Sequence, residues 1–340
     1  MSFRGFCWFL AAMVPVYLGL AALIPPFDDE LYYWCWSRDL QLSYYDHPPM
    51  VAYMIRLSTE LFGKSVFAIR IPAILSAVVV AGVIDWLSRP RDLLPLILLS
   101  PVLTFAAVLV TPDTPMLLCW ALYLAWLVSV HERLESYVPI HFWVLGGLIL
   151  GCGVLGKYTM GLAAVAGGMS FLFAGNWRRW LSGYLLHAVV AVAVTTPILI
   201  HNIRHGFLPL RYQWGHSMGS PSPGLGVFAE FVGVQVLLLG TIPLFIFGWS
   251  LWHRREMVSD PRLRVCLCLF LLPFAFFLLK ATRGRIEGNW AFPCYIACWP
   301  LAAEWYARVR ESVRWRWASR SGFVFPLATT AFLFLHLIHP

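Results

Sequence analysis

The chain reads as long apolar runs separated by polar breaks of unequal length. About 20 consecutive apolar residues suffice to cross a bilayer as a helix, and eleven such segments stand at roughly 6–25, 66–87, 93–111, 115–131, 140–157, 159–175, 180–200, 226–252, 263–281, 289–306 and 321–338. Most breaks are short, but residues 26–64 and 201–224 are long enough to hold structure of their own. In the first, aromatic residues dominate from Glu30 to Leu40, as in a helix lying in the headgroup layer. From Pro48 to Phe62 the residues Met50, Met54, Leu57 and Leu61 make one apolar stripe, with proline in the first turn and Gly63 just past the end, which predicts a second interfacial helix. In 201–224 the residues Gly206, Gly215, Gly219 and Gly224 with Pro209, Pro221 and Pro223 predict little regular structure and a mobile cover. The expected architecture is an all-α polytopic membrane protein, one transmembrane domain over 1–340 with no C-terminal soluble domain.

Composition agrees: 340 residues that are 60% hydrophobic and 12% charged, at a mean hydropathy of +0.71, exclude an ordinary water-soluble domain. Placement of charge adds more than its sum. With the N-terminus inside and each segment crossing once, Arg4, Arg89, Arg91, Arg133, Arg178, Arg179, Arg254, Arg255, Arg262, Arg264, Arg308, Arg310, Arg314, Arg316 and Arg320, 15 of the 25 basic residues, fall on the inner side, as the positive-inside rule requires. The run from Arg314 to Arg320 then reads as an anchor to anionic lipid, not as a nucleic-acid patch. Seven of the eight cysteines lie in or at the ends of apolar segments, where they act as small hydrophobes, so no disulfide frame is expected. No small-residue cleavage site follows the first run, which reads as an uncleaved helix.

This orientation gathers the remaining polar residues at the external end. Asp28, Asp29 and Glu30 are three adjacent carboxylates beside a membrane-length segment, a costly arrangement. Asp28 suits a helix cap; Asp29, with a carboxylate on either side, suits proton abstraction, and Glu30 is the second catalytic candidate. His47 either fills the turn before Pro48 and Pro49 or donates to an anionic substrate. Asp113, between Pro112 and Pro115, fits the N-cap of the fourth segment or a substrate-binding role. Lys157 and Tyr158 end a segment whose Gly151, Gly153 and Gly156 formally match a dinucleotide fingerprint; with no strand before them, the glycines instead permit close helix packing. That leaves Lys157 either to snorkel or to hold a phosphate. His201 and His205 share a helix face without the acidic residue of the zinc-protease pattern, so no metal site is assigned and no cofactor is expected; a divalent cation is not indicated. Arg283, Arg285, Glu287 and Asn289 precede the tenth segment, where paired guanidiniums at a helix start suit an anion.

Taken in order, Asp29-Glu30-Leu31-Tyr32-Tyr33-Trp34, Tyr45-Asp46-His47-Pro48-Pro49, Arg70-Ile71-Pro72-Ala73, Thr111-Pro112-Asp113-Thr114-Pro115, Gly156-Lys157-Tyr158, His201-Asn202 with His205-Gly206, and Arg283-Gly284-Arg285 with Glu287 and Asn289-Trp290 resemble the bacterial protein-mannosyltransferase-like and ArnT-like glycosyltransferases of the GT-C fold. The resemblance runs from about residue 28 to 305. It implies a bundle of about eleven spans in the bacterial inner membrane, working at the external, periplasmic face. It implies transfer of a sugar from a polyprenyl-phosphate donor to a glycan, lipid or protein acceptor with inversion, and an essential acid in the first external loop, which maps onto Asp29. The donor phosphate falls to Lys157, Tyr158, Arg283 and Arg285, and other substrate contacts to His47, Asp113, His201, His205, Glu287 and Asn289. Such enzymes usually continue into further spans or an external domain, so a partner protein is an expected source of acceptor recognition. The competing readings are a lipid-linked-substrate transporter or flippase, disfavoured because charge gathers at one boundary and not at span centres, and a polyprenyl-phosphate-sugar hydrolase.

Overall fold

The computed structural model describes residues 3–88, 100–218, 224–314 and 324–338, and its regular structure is helical throughout. In chain order the helices are α1 (Phe3–Leu23), α2 (Asp28–Arg38), α3 (Met50–Phe62), α4 (Val66–Leu87), α5 (Pro101–Val108), α6 (Asp113–His131), α7 (Ile140–Gly156), α8 (Gly161–Ala174), α9 (Leu181–Val194), α10 (Thr196–Arg204), α11 (Leu208–Met218), α12 (Leu225–Leu239), α13 (Ile242–Trp252), α14 (Arg254–Ser259), α15 (Pro261–Ala281), α16 (Phe292–Val309) and α17 (Val324–Ile338). Short 3₁₀ turns at Tyr158–Met160 and Gly288–Ala291 precede α8 and α16. The first long break holds two helices, α2 and α3, and Gly63 ends α3 at φ 84°, a left-handed stop.

Among the described residues four helices are long and apolar enough to cross a membrane, or six if each bent pair is one span. The eleven segments of the sequence reading map onto helices less simply than drawn. The run 226–252 is two helices, α12 and α13, meeting at 102°. Gly240 at φ 67° closes the first, and Pro243, in the first turn of the second, cannot donate back across the break. The run 180–200 bends by 44° between α9 and α10, where Pro197 opens the second helix. Of 93–111, residues 93–99 lie outside the described residues, as do Arg89, Arg91, Arg316, Arg320 and the start of 321–338.

The core forms around α6, whose Trp120, Tyr123, Leu124 and Leu127 are fully enclosed. The glycines of α7 do what close packing requires. A Cβ on Gly147 would stand 2.5 Å from the His187 carbonyl oxygen, and one on Gly151 2.5 Å from Val194, so α9 lies against bare backbone. Gly183 of α9 leaves the matching notch for Trp143, whose indole would stand 2.1 Å from a Cβ there.

Candidate active site

Two acidic residues one step apart at the start of α2 meet different fates. Consecutive helical residues point about 100° apart, and here that rotation sends Glu30 inward and leaves Asp29 exposed. Glu30 is 1% exposed and fully engaged. Arg70 of α4 donates Nε to Oε1 at 2.9 Å and Nη2 to Oε2 at 2.6 Å. The N–H of Val110 reaches Oε1 at 3.3 Å, and that of Phe27 reaches Oε2 at 3.1 Å. Arg70 spends its remaining donors on the carbonyls of Ala21, Ile24 and Pro25, at 2.9, 2.7 and 2.8 Å. Glu30, the second acid named for catalysis, is therefore a fastener between the end of α1, α2 and α4, with no lone pair left for a substrate. It also makes the capping bond that the sequence reading gave to Asp28.

Asp29 remains in a ring of negative charge. Burial pushes the Tyr33 hydroxyl well above its usual range, and the charges of Asp29, Asp46 and Asp113 push the same way, which puts all three within electrostatic reach of one ring. Burial raises Asp46 as well, helped by Asp29 and opposed by hydrogen bonds that include one from the Tyr32 hydroxyl at 3.2 Å.

Asp113 is the first residue of α6, not its cap: Pro112 holds the cap position and the carboxylate is free to face inward. Its Oδ1 accepts from Lys157 Nζ at 2.8 Å and its Oδ2 from Asn289 Nδ2 at 2.7 Å. Three residues separated by 44 and 132 positions in the chain thus converge. A steric fit sets this approach. A Cβ on Gly156 would stand 3.0 Å from the Met116 nitrogen and from Pro115 Cγ, tighter than ordinary van der Waals contact, so glycine eases the settling of the end of α7 onto the start of α6. Lys157 then leaves the helix in an extended conformation (φ −155°, ψ 137°) that aims it at Asp113.

Lys157 forms one wall of a cavity of about 530 Å³, lined also by Asp46, His47, Tyr158, Lys280, Glu287 and Trp290, with Leu162, Phe276 and Phe277 on its apolar side. That volume suits a small-molecule head group. Burial, reinforced by the charge of Lys157, lowers His47 from 6.5 to about 4, so it is neutral near pH 7. It can offer one N–H, and its buried Nδ1 has no hydrogen-bond partner among the described residues.

The roof corrects the reading of 201–224. Residues 208–218 are helix α11, because the breakers are concentrated at Gly206 and Phe207, with φ 60° and 61°, and Pro209 sits in the first turn, where it is tolerated. Asn202 braces the break: its carbonyl accepts from Phe207 N–H at 2.7 Å and its side chain from Leu210 N–H at 3.1 Å. Residues 219–223 lie outside the described residues. From α11, Gln213 donates to the Asp46 carbonyl, the Tyr212 ring lies 4.7 Å from Tyr45, and His216 lies 5.9 Å from Trp290.

Of the residues named from sequence, His47, Lys157, Tyr158 and Glu287 line the cavity, and Asp113 and Asn289 support it. His201 and His205 stack on each other, 4.1 Å between ring centroids, away from the lining. Arg283 is exposed, and Arg285 pairs with Glu230 at 3.1 Å on the surface. Neither arginine reaches the lining; the cation that this part of the chain supplies is Lys280, at the end of α15. Lys280 has the same signature as Lys157, a lysine closing an apolar run, and Asp46 stands beside His47.

The model of the dolichyl-phosphate-mannose-protein mannosyltransferase family matches residues 46–201. Over 327 residues the chain is 27% identical to the lipid A galacturonosyltransferase RgtD of Rhizobium johnstonii, covering 89% of this chain and 66% of that protein. Over 309 residues it is 24% identical to the undecaprenyl phosphate-alpha-4-amino-4-deoxy-L-arabinose arabinosyl transferase of Pectobacterium carotovorum, covering 83% and 53%. The chain therefore spans between about half and two-thirds of the length of these relatives. Among solved structures, ArnT from Cupriavidus metallidurans superposes with TM-score 0.68 when bound to undecaprenyl phosphate and 0.64 in the apo state, at 20% and 19% identity, covering 90% of this chain and 61% and 60% of that one.

Proposed function

This chain is an ArnT-like protein of the GT-C fold, and from that premise we propose that it moves a sugar from a polyprenyl-phosphate carrier to an acceptor hydroxyl. The observation that supports this most is the cavity that combines two lysines, Lys157 and Lys280, with Asp46 and His47 of the first loop and with the apolar Phe276 and Phe277. The lysines suit a phosphate and the phenylalanines suit the first isoprene units of its carrier. The acceptor class is a lipid-anchored glycan in a bacterial inner membrane, with the cavity opening to the periplasmic side; the names of the relatives support the first, and the arginine distribution the second.

In the reaction the acceptor oxygen attacks the anomeric carbon and the bond from that carbon to the phosphate oxygen breaks. Its electron pair leaves with the polyprenyl phosphate, and the acceptor proton passes to the carboxylate of Asp29. A single displacement inverts the anomeric centre. The phosphate gains a negative charge as it departs, and ammonium groups already in place stabilise that charge without reorganising. Lys157 carries three N–H donors, so its bond to Asp113 fixes its direction and leaves capacity for the phosphate. Neutral His47 contributes one further hydrogen bond. Helix α11 covers the reacting groups and excludes water; water in the acceptor's place would make the protein a hydrolase.

The test is to incubate purified protein with a panel of polyprenyl-phosphate sugars, with and without chelator, and to follow loss of sugar from each carrier. The expected result is transfer from one carrier class that Asp29→Asn abolishes while the variant keeps the wild-type elution volume and melting temperature. Near-normal turnover by that variant removes Asp29 as base; no turnover of any carrier by the wild type removes the reaction.

A further inference from the structure

Helix α12 is apolar except for two residues: Glu230, which faces Arg285 on the surface, and Gln235, which is 1% exposed. An amide buried in an apolar helix is costly unless both of its ends are bonded. Both are. Gln235 Nε2 donates to the Gly288 carbonyl at 3.2 Å and to the Phe231 carbonyl at 3.4 Å, and its Oε1 accepts from the Tyr295 hydroxyl of α16. Gly288 is seated as tightly as it is bonded. A Cβ there would stand 2.4 Å from Val234 Cγ1, so the 3₁₀ turn Gly288–Ala291 lies on α12 through bare backbone.

What that turn carries gives the contact its meaning. Glu287 and Trp290, on either side, line the cavity, and Asn289 between them donates to Asp113 Oδ2 at 2.7 Å. Asp113 in turn holds Lys157 at 2.8 Å. We propose that Gln235 is a positioning residue for the cavity lysine, acting through the Gly288 carbonyl, Asn289 and Asp113. The relay makes the direction of the Lys157 ammonium depend on how α12 sits against the turn. Its relevance to sugar transfer rests on the function proposed above, but the relay itself does not.

Two readouts separate those claims. The first is the reactivity of the Lys157 amine toward reductive methylation, followed by peptide mass spectrometry on full-length protein in detergent. Gln235→Leu should raise the labelling rate of Lys157 at least threefold, and Asn289→Ala should do the same, while surface lysine Lys64 labels as before. The double variant should exceed Asn289→Ala by little, since residues in one network are not additive. The second readout is turnover: Gln235→Leu should lower kcat about tenfold with donor KM changed less than threefold, and Tyr295→Phe should produce a smaller loss of the same kind. Gly288→Ala, which displaces the turn directly, serves if Gln235→Leu does not fold. Unchanged labelling in Gln235→Leu and Gly288→Ala, or labelling increases that multiply in the double variant, overturns the relay. Altered labelling in a protein that transfers no sugar leaves the relay intact and overturns the proposed reaction instead.

Discussion

Glu30 and Arg70 bury their side chains at 1% and 0% exposure, and every oxygen and donor of the pair is bonded within the fold. Asp113 and Lys157, at 10% each, make a single ion-pair contact, and Lys157 turns its remaining donors toward a cavity. Both pairs join residues far apart in sequence, and both stand at the same end of the bundle. The difference is saturation. A buried pair whose partners are fully bonded organises structure, and removing one member leaves a stranded charge. A pair that is half satisfied and touches open space is prepared for a ligand.

The strongest way to break this contrast is at the open pair. Lys157→Met should reduce sugar transfer by about a thousandfold, the scale on which a positioned charge stabilises a developing one. Its effect on the melting temperature should be small, because Asp113 keeps its bond to Asn289 and gains access to cavity water. Arg70→Met should do the reverse. Stranding Glu30 costs about 3–5 kcal/mol, seen as early thermal unfolding in detergent, while kcat per folded molecule stays within about threefold of wild type. Loss of turnover without loss of stability in Arg70→Met would erase the distinction between the pairs.

A smaller effect sharpens which cations serve the cavity. Lys280→Met should raise donor KM about tenfold, a typical loss for one charge-assisted bond. Arg283→Ala and Arg285→Ala should each change it less than about twofold, as exposed charges do.

The smallest effect concerns pH. His47 titrates near 4 in the folded protein against 6.5 without its surroundings. Between these values the unfolded chain binds a proton that the folded one refuses, so stability should fall as pH drops from about 6.5 toward 4. His47→Gln should flatten the pH dependence of the melting temperature in that window.

The constellation was largely legible because its chemistry is carried by residue type and position at span ends. Lys157, Asp113, Asn289 and Glu287 all stood where apolar runs begin or stop, His47 stood in the first long break, and the fold brings them together. What could not be read was orientation within a turn. Asp29 and Glu30 are chemically alike in sequence, and only the rotation of α2 against Arg70 separates a fastener from a free acid. Arg283 and Arg285 carried a persuasive charge, but the loop after α15 turns them to the surface, and Lys280, one helical turn earlier in the chain, takes their place. Helix α11 was missed because glycines and prolines were counted over the whole loop, whereas the breaks fall at one point, Gly206 and Phe207. Gln235 left a readable trace, a single amide within the apolar stretch of α12. Its meaning depended on what it touched.

The fit at Gly156 reaches further than packing. A hydrogen atom where other residues carry a methyl group decides how near two spans can come, since any addition would meet backbone and proline at 3.0 Å. The placement of the ammonium beside its counter-ion thus depends on a close contact in the scaffold as well as on the pull of the charges. Adding one methyl group at that contact would retune the local field of the chamber without touching a single ionisable group.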